Sequence, residues 1–158
     1  MKRKIYTALL CMSILFAAFG MDAYAMEEKE VVELTERIGA EYNLCPELLQ
    51  AVAWKESHYD ETVESAGCIG MMQVSGRWHR DRMAVLGVTD LYDPESNIRV
   101  AADYMAELFD QYEDIGMVLM VYSGDSGAET YAGSGKGLSE YAQEIMEYAC
   151  LLERQHGK

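Results

Sequence analysis

Asp93-Pro94-Glu95-Ser96-Asn97-Ile98-Arg99-Val100-Ala101-Ala102-Asp103-Tyr104-Met105-Ala106-Glu107-Leu108-Phe109-Asp110-Gln111-Tyr112 is the most regular stretch of the chain. Ile98, Ala101, Ala102, Met105, Leu108, Phe109 and Tyr112 recur three and four residues apart, the period of one helix face, for about four turns. Asp93 supplies an N-cap. Pro94 is favoured at the first helical position, where a missing N–H costs nothing. Upstream, Val31, Leu34, Thr35, Ile38 and Tyr42 predict a helix over roughly Glu27 to Tyr42. Pro46 opens another, whose Leu49, Val52 and Ala53 form an apolar stripe running to Glu56. A short helix is predicted from Arg77 to Leu86, and a further one carries Ile115, Val118, Leu119 and Tyr122, ended by Gly124. Residues 123–137, rich in Gly and Ser, read as a loop. A last helix carries Leu138, Tyr141, Ala142, Ile145, Ala149 and Leu152. Both prolines start helices, and no period-two run of strand length stands out. The expected fold class is therefore all-α, or α with a very small β element, in one compact domain.

Composition agrees and narrows the function. The 158 residues are 50% hydrophobic and 25% charged, enough to bury a core without metal or a dense disulfide framework. Thirteen Lys and Arg against twenty-seven Asp and Glu give a formal net charge of −14. Such a chain lacks the basic surface that neutralises phosphates, so nucleic acid is not an expected partner. At the N-terminus, Lys2, Arg3 and Lys4 precede an apolar run from Ile5 to Met21, and Ala23-Tyr24-Ala25 is a small-x-small cleavage site. Residues 1–25 thus read as a signal peptide and residues 26–158 as the exported domain. The competing reading is a retained anchor, because the run is near the lower limit of about 17 residues for a membrane span. Cys45, Cys68 and Cys150 follow the predicted cut, an odd number that allows one disulfide and a free thiol, or none. No HExxH or paired Cys/His spacing marks a metal site, and no cofactor motif is present.

The chemistry is expected at Glu56. It lies seven, four and three residues after Leu49, Val52 and Ala53, so it points toward the core side of its helix. Burial raises a carboxyl pKa and keeps it protonated as a general acid, although periodicity alone favours a structural Glu bonded to a loop backbone. Around it stand Ala53-Trp54-Lys55-Glu56-Ser57, then Ser65-Ala66-Gly67-Cys68-Ile69-Gly70-Met71-Met72-Gln73, then Asp93 to Ile98, then Val121-Tyr122-Ser123-Gly124. In this order they resemble the soluble lytic transglycosylase domain of the lysozyme-like superfamily, whose pattern is an ES pair, S-x-A-G-A-x-G-L-M-Q, a helix beginning near N-[IL], and A-Y-N-x-G. The resemblance covers about residues 40 to 150.

The resemblance implies a lysozyme-like helical domain with a substrate cleft, Glu56 as the single catalytic acid/base, and Ser57 beside it. It aligns Met72 and Gln73 with a pair lining the cleft, Tyr122 with a tyrosine facing the carboxyl, and Tyr141 with a further cleft-side tyrosine. It also implies cleavage between N-acetylmuramic acid and N-acetylglucosamine to a 1,6-anhydro sugar. Ser123 stands where the family commonly has Asn, and Cys68 where it has a small residue. Cys68 could pair with Cys45, or Cys45 with Cys150. Two other readings compete: a muramidase hydrolase in which Asp60, Glu61 or Glu64 helps activate water, and a non-catalytic wall-binding protein. The expected partner is the peptidoglycan glycan strand, acted on by a monomer outside the membrane, alone or within an export or conjugation apparatus. The chain's acidity offers no general attraction to a polyanionic wall, so affinity must come from local contacts. Trp54, Trp78 and some of the tyrosines are available to stack on sugars.

Overall fold

The computed structural model describes residues 26–158, and the expected signal peptide lies outside the described residues. Seven helices occur among them: α1 (Glu28–Tyr42), α2 (Pro46–Ser57), α3 (Arg80–Leu86), α4 (Pro94–Gln111), α5 (Ile115–Tyr122), α6 (Ala128–Ser134) and α7 (Glu140–Gln155). Between α2 and α3, the two-residue strands β1 (Glu64–Ser65), β2 (Cys68–Ile69) and β3 (Val74–Ser75) form an antiparallel sheet in the order β1-β2-β3. Glu64 pairs with Ile69, and Ile69 with Val74. No described helix is long and apolar enough to cross a membrane.

The helix ends follow local chemistry. The Asp93 carboxylate accepts from the Ser96 N–H at 2.9 Å, and Asp114 and Ser139 cap α5 and α7 in the same way. Asn43 and His58 end α1 and α2 in the left-handed conformation, which turns the chain sharply after each. Helix α4 presents Ile98, Val100, Ala101, Ala102, Met105 and Leu108 to the core. Each large apolar side chain so buried stabilises the fold by about 1.5–3 kcal/mol. Helix α2 is buried over most of its length, from Leu48 to Ala53, and packs against α7 and α1. It thereby becomes the central rod of the domain, with Glu56 near one end.

Two boundaries differ from the sequence reading. Residues 123–137 are not all loop, because α6 occupies Ala128–Ser134. Its Ala128 is buried, and the Tyr131 hydroxyl donates to Asp114 at 2.9 Å, so tertiary contacts hold a helix that its glycine-rich flanks conceal. Helix α3 begins at Arg80 and not Arg77, because His79 at its N-cap departs from helical backbone angles, with φ −104° and ψ 18°.

Cys45, Cys68 and Cys150 are free thiols. Cys45 caps the start of α2 while Cys68 shares a cleft with Glu56 at its other end. Twelve helical residues separate those ends, or about 18 Å. That is well beyond the roughly 7 Å between Cα atoms that a disulfide can span, so the Cys45–Cys68 pairing is excluded. Cys45 and Cys150 border one groove on the opposite side of the domain.

Candidate active site

Glu56 occupies the last turn of α2, with its carboxylate at the wall of a cleft of about 670 Å³. The opposite walls come from the small sheet (Cys68, Val74, Ser75), the segment Trp78 to Arg82, Tyr104 and Glu107 on α4, and Tyr122 to Gly124 at the end of α5. Partial burial pushes the Glu56 carboxyl above its ordinary range. A hydrogen bond from the Tyr141 hydroxyl and the nearby Lys55 charge act in the opposite direction and only partly offset it. Tyr141 comes from α7, and its own phenol is pushed far up by burial and by the neighbouring carboxylate. It can therefore serve only as a proton-bearing donor.

The loop beneath the carboxylate is held by buried hydrogen bonds. The Ser57 hydroxyl donates to the Met71 carbonyl at 2.9 Å, tying the end of α2 to the segment after the sheet. Asn97, fully buried at the start of α4, donates to the Ile69 and Leu91 carbonyls, each at 2.8 Å, and accepts from the Met72 N–H at 2.7 Å. Gly70 makes this approach possible. Its φ is +74°, and a Cβ there would lie 2.5 Å from both the Asn97 amide nitrogen and the Leu91 carbonyl. Gln73 also adopts a left-handed φ of 47° and donates through Nε2 to the carbonyls of Gly70 (2.9 Å) and Val63 (3.1 Å). Both amide hydrogens are thus engaged, and the group left to meet a ligand is the acceptor Oε1.

The structure sorts the residues selected from sequence into layers. Glu56, Gln73 and Tyr122 line the cleft, and Tyr141 reaches Glu56 directly. Ser57 lies behind them. The Met72 side chain is fully buried and contributes through its backbone, its carbonyl accepting the Tyr122 hydroxyl at 2.9 Å. Tyr122 is thus oriented by Met72, and Tyr141 is the tyrosine bonded to the carboxylate. Residues that sequence reasoning did not place here are His79, Arg82, Tyr104 and Glu107. Tyr104 stands between His79 (centroids 4.7 Å) and Tyr122 (5.9 Å), forming an aromatic row along the cleft. Arg82 is held by Asp103 and Glu107. The helical period of α4 could have put Tyr104 and Glu107 on one face, but nothing in the sequence indicated which face met the cleft.

Among the described residues, one Cys/Glu group has its ligand atoms close enough to hold a metal: Cys45, Glu47 and Glu153. It lies at the start of α2, at the far end of that helix from Glu56. Its buried Glu47 is already matched by His156 at 2.8 Å and Lys158 at 2.7 Å.

Residues 33–143 match the family described as Transglycosylase SLT domain. The chain belongs to that family. A relative named Transglycosylase from Enterobacteria phage PRD1 is 36% identical over 121 residues, covering 74% of this chain and 43% of its own length. Membrane-bound lytic murein transglycosylase F 2 of Alkalilimnicola ehrlichii is 40% identical over 73 residues, which is 46% of this chain and 15% of the relative. The chain thus spans less than half the length of the curated relatives it matches. The solved structure of an inactive mutant of lytic transglycosylase Slt from Pseudomonas aeruginosa superposes with a TM-score of 0.69 at 18% identity, covering 92% of this chain and 27% of that one. The 70 kDa soluble lytic transglycosylase of Escherichia coli gives 0.68 at 19% identity, over 80% of this chain and 24% of that one. These structural likenesses establish a lysozyme-like fold for the SLT domain.

Proposed function

We propose that this SLT domain is a peptidoglycan lytic transglycosylase with Glu56 as its single catalytic acid/base. The observation that carries the reading is that, among the described residues, the cleft is lined by two carboxylates, Glu56 and Glu107, and that Glu107 is tied to Arg82. Glycosidases that admit water ordinarily need a second free carboxylate as nucleophile or base. The acids near Glu56 in sequence do not supply it: Asp60 accepts from Thr62, Glu64 accepts from Tyr92, and neither they nor Glu61 line the cleft. This arrangement favours the transglycosylase reading over the hydrolase alternative. The names of the phage and murein transglycosylase relatives support the same choice.

In this reading the protonated Glu56 donates its proton to the oxygen between N-acetylmuramic acid and N-acetylglucosamine as the C1–O bond breaks. The substrate's acetamido group shares the positive charge that develops at C1. The resulting Glu56 carboxylate then takes the proton of the muramyl C6 hydroxyl, whose oxygen bonds to C1 and closes the 1,6-anhydro ring. No water is consumed. Because the attacking hydroxyl belongs to the same sugar, its effective concentration replaces the water-activating base. Tyr141 supports both halves of the cycle by donating to the carboxylate whenever Glu56 is ionised, and Gln73 offers Oε1 to a sugar hydroxyl or amide. The substrate places the reaction outside the cytoplasmic membrane, in keeping with the signal-like residues 1–25.

The direct test is Glu56→Gln. This near-isosteric change keeps a hydrogen bond with Tyr141 available but cannot shuttle the proton. Clearing of purified cell wall should fall to background while the thermal midpoint stays close to that of the parent. Full lytic activity in this variant would remove Glu56 from the reaction.

A further inference from the structure

The segment Arg77-Trp78-His79-Arg80-Asp81-Arg82 places three arginines within six residues of a chain whose formal charge is −14. Its place in the fold is the turn after β3 and the first residues of α3, at the rim of the cleft. Trp78 lines that cleft and is 80% exposed. An indole of this size is ordinarily drawn into a core or an interface, and contact with an apolar ring face would recover much of the cost of exposing it. The Arg77 guanidinium lies 5.6 Å from the centroid of the Trp78 ring, a cation–π contact that covers part of one face. The aromatic row His79–Tyr104–Tyr122 continues from this rim inward along the cleft that holds Glu56. Charge is distributed unevenly among the arginines. Arg82 is consumed by Asp103 and Glu107, whereas Arg77 and Arg80, both exposed, form no ion pair among the described residues.

We infer that Trp78 and Arg77 form a substrate subsite at the rim of the cleft, in which the indole stacks on a pyranose ring and the Arg77 guanidinium pairs with a carboxylate carried by the same glycan strand. The inference rests on the reading of the cleft as a glycan site and extends it to a preference: an anion-bearing strand over a neutral one. It also answers the electrostatic difficulty of an acidic protein on an acidic polymer. The overall field repels, but the unpaired Arg77 guanidinium beside a stacking surface attracts once strand and cleft are within about 8–10 Å, the screening length at ordinary ionic strength.

The test measures binding by calorimetry in the Glu56→Gln background, with two probes. One is the uncharged tetramer of N-acetylglucosamine. The other is a peptide-free strand alternating N-acetylglucosamine with N-acetylmuramic acid, whose lactyl carboxylates are ionised. Trp78→Ala should weaken both by about tenfold, with Trp78→Phe recovering most of the loss. Arg77→Gln should weaken the charged strand by about threefold, leave the tetramer unchanged, and flatten the salt dependence of the charged strand. Both side chains are exposed, so circular dichroism and the thermal midpoint should match the parent. Unchanged binding of both probes by Trp78→Ala, with the parent binding normally, overturns the subsite alone. Equal effects of Arg77→Gln on the two probes overturn the carboxylate pairing. Failure of the Glu56→Gln parent to bind either probe overturns the glycan reading of the cleft, and this inference with it.

Discussion

Replacing Tyr141 with Phe removes one hydroxyl and isolates the force that opposes burial at Glu56. The phenol donates to Glu56 Oε1, and its own pKa is too high for it to act as an acceptor of the acid's proton by ionising. Its bond strengthens when Glu56 is charged, so it favours the carboxylate. Burial favours the neutral acid and prevails, which is why the carboxyl titrates above its ordinary range. A hydrogen bond to a charged group contributes about 1.5–3 kcal/mol. At the lower end, for a half-buried carboxylate still open to the cleft, losing it shifts the ratio of ionised to protonated Glu56 by roughly tenfold at fixed pH. The direction follows: the acid needed for the first step persists to higher pH, and the alkaline limb of the activity profile moves up. The carboxylate formed during catalysis is also less stabilised, so the maximal rate falls. The assay is clearing of purified wall from pH 4 to 9 by parent and Tyr141→Phe. An alkaline limb that stays in place or moves down would refute the assignment of Tyr141 as the donor that tunes Glu56.

Asn97→Ala should destabilise the domain by about 3 kcal/mol in urea unfolding, because it leaves the buried Met72 N–H and Leu91 carbonyl, and the part-buried Ile69 carbonyl, without their partner. Gly70→Ala should lower the urea midpoint, equivalent to about 1–3 kcal/mol, since its Cβ would collide with Asn97 and Leu91 in a backbone conformation that already disfavours a side chain. Burial alone would raise the Glu47 carboxyl, but hydrogen bonds from Lys158, His156 and the Cys45 thiol pull it down to about 2. Its folded value lies below the unfolded one, so its stabilisation is complete above the ordinary carboxylate range and is lost as pH falls toward about 2. Unfolding measured between pH 2 and 6 should show a slope that diminishes in Glu47→Gln.

The sequence made the helical frame legible where period and caps agreed. Pro94 behind a capping Asp93 and the apolar stripe from Ile98 to Leu108 leave α4 little alternative, and Pro46 does the same for α2. Helix α6 was hidden because glycine and serine at positions 123–127 and 133–137 outweighed the short run Ala128 to Ala132, whose helicity depends on the contacts of Ala128 and Tyr131. Glu56 was visible as a carboxylate ending an apolar stripe. Its hydrogen bond to Tyr141 spans 85 residues of sequence, and periodicity within one helix carries no information about such a contact. The resemblance to the SLT pattern brought the tyrosines to attention, while the geometry distributes their work: Tyr141 on the acid, Tyr122 on the Met72 carbonyl. Likewise Met72 read as a cleft residue by alignment, yet a fully buried methionine side chain contributes packing and leaves only its backbone to orient the site.

The central claim is that one carboxylate, Glu56, cleaves the glycan without water. Mass spectrometry of the soluble products released from purified peptidoglycan by this chain tests it most directly. The account predicts muropeptides ending in 1,6-anhydromuramic acid, each lighter by one water than the corresponding reducing-end product, and no incorporation of label when digestion is run in H₂¹⁸O. Reducing-end muropeptides carrying ¹⁸O would contradict it, and would require a second catalytic base that the cleft, as described, does not provide.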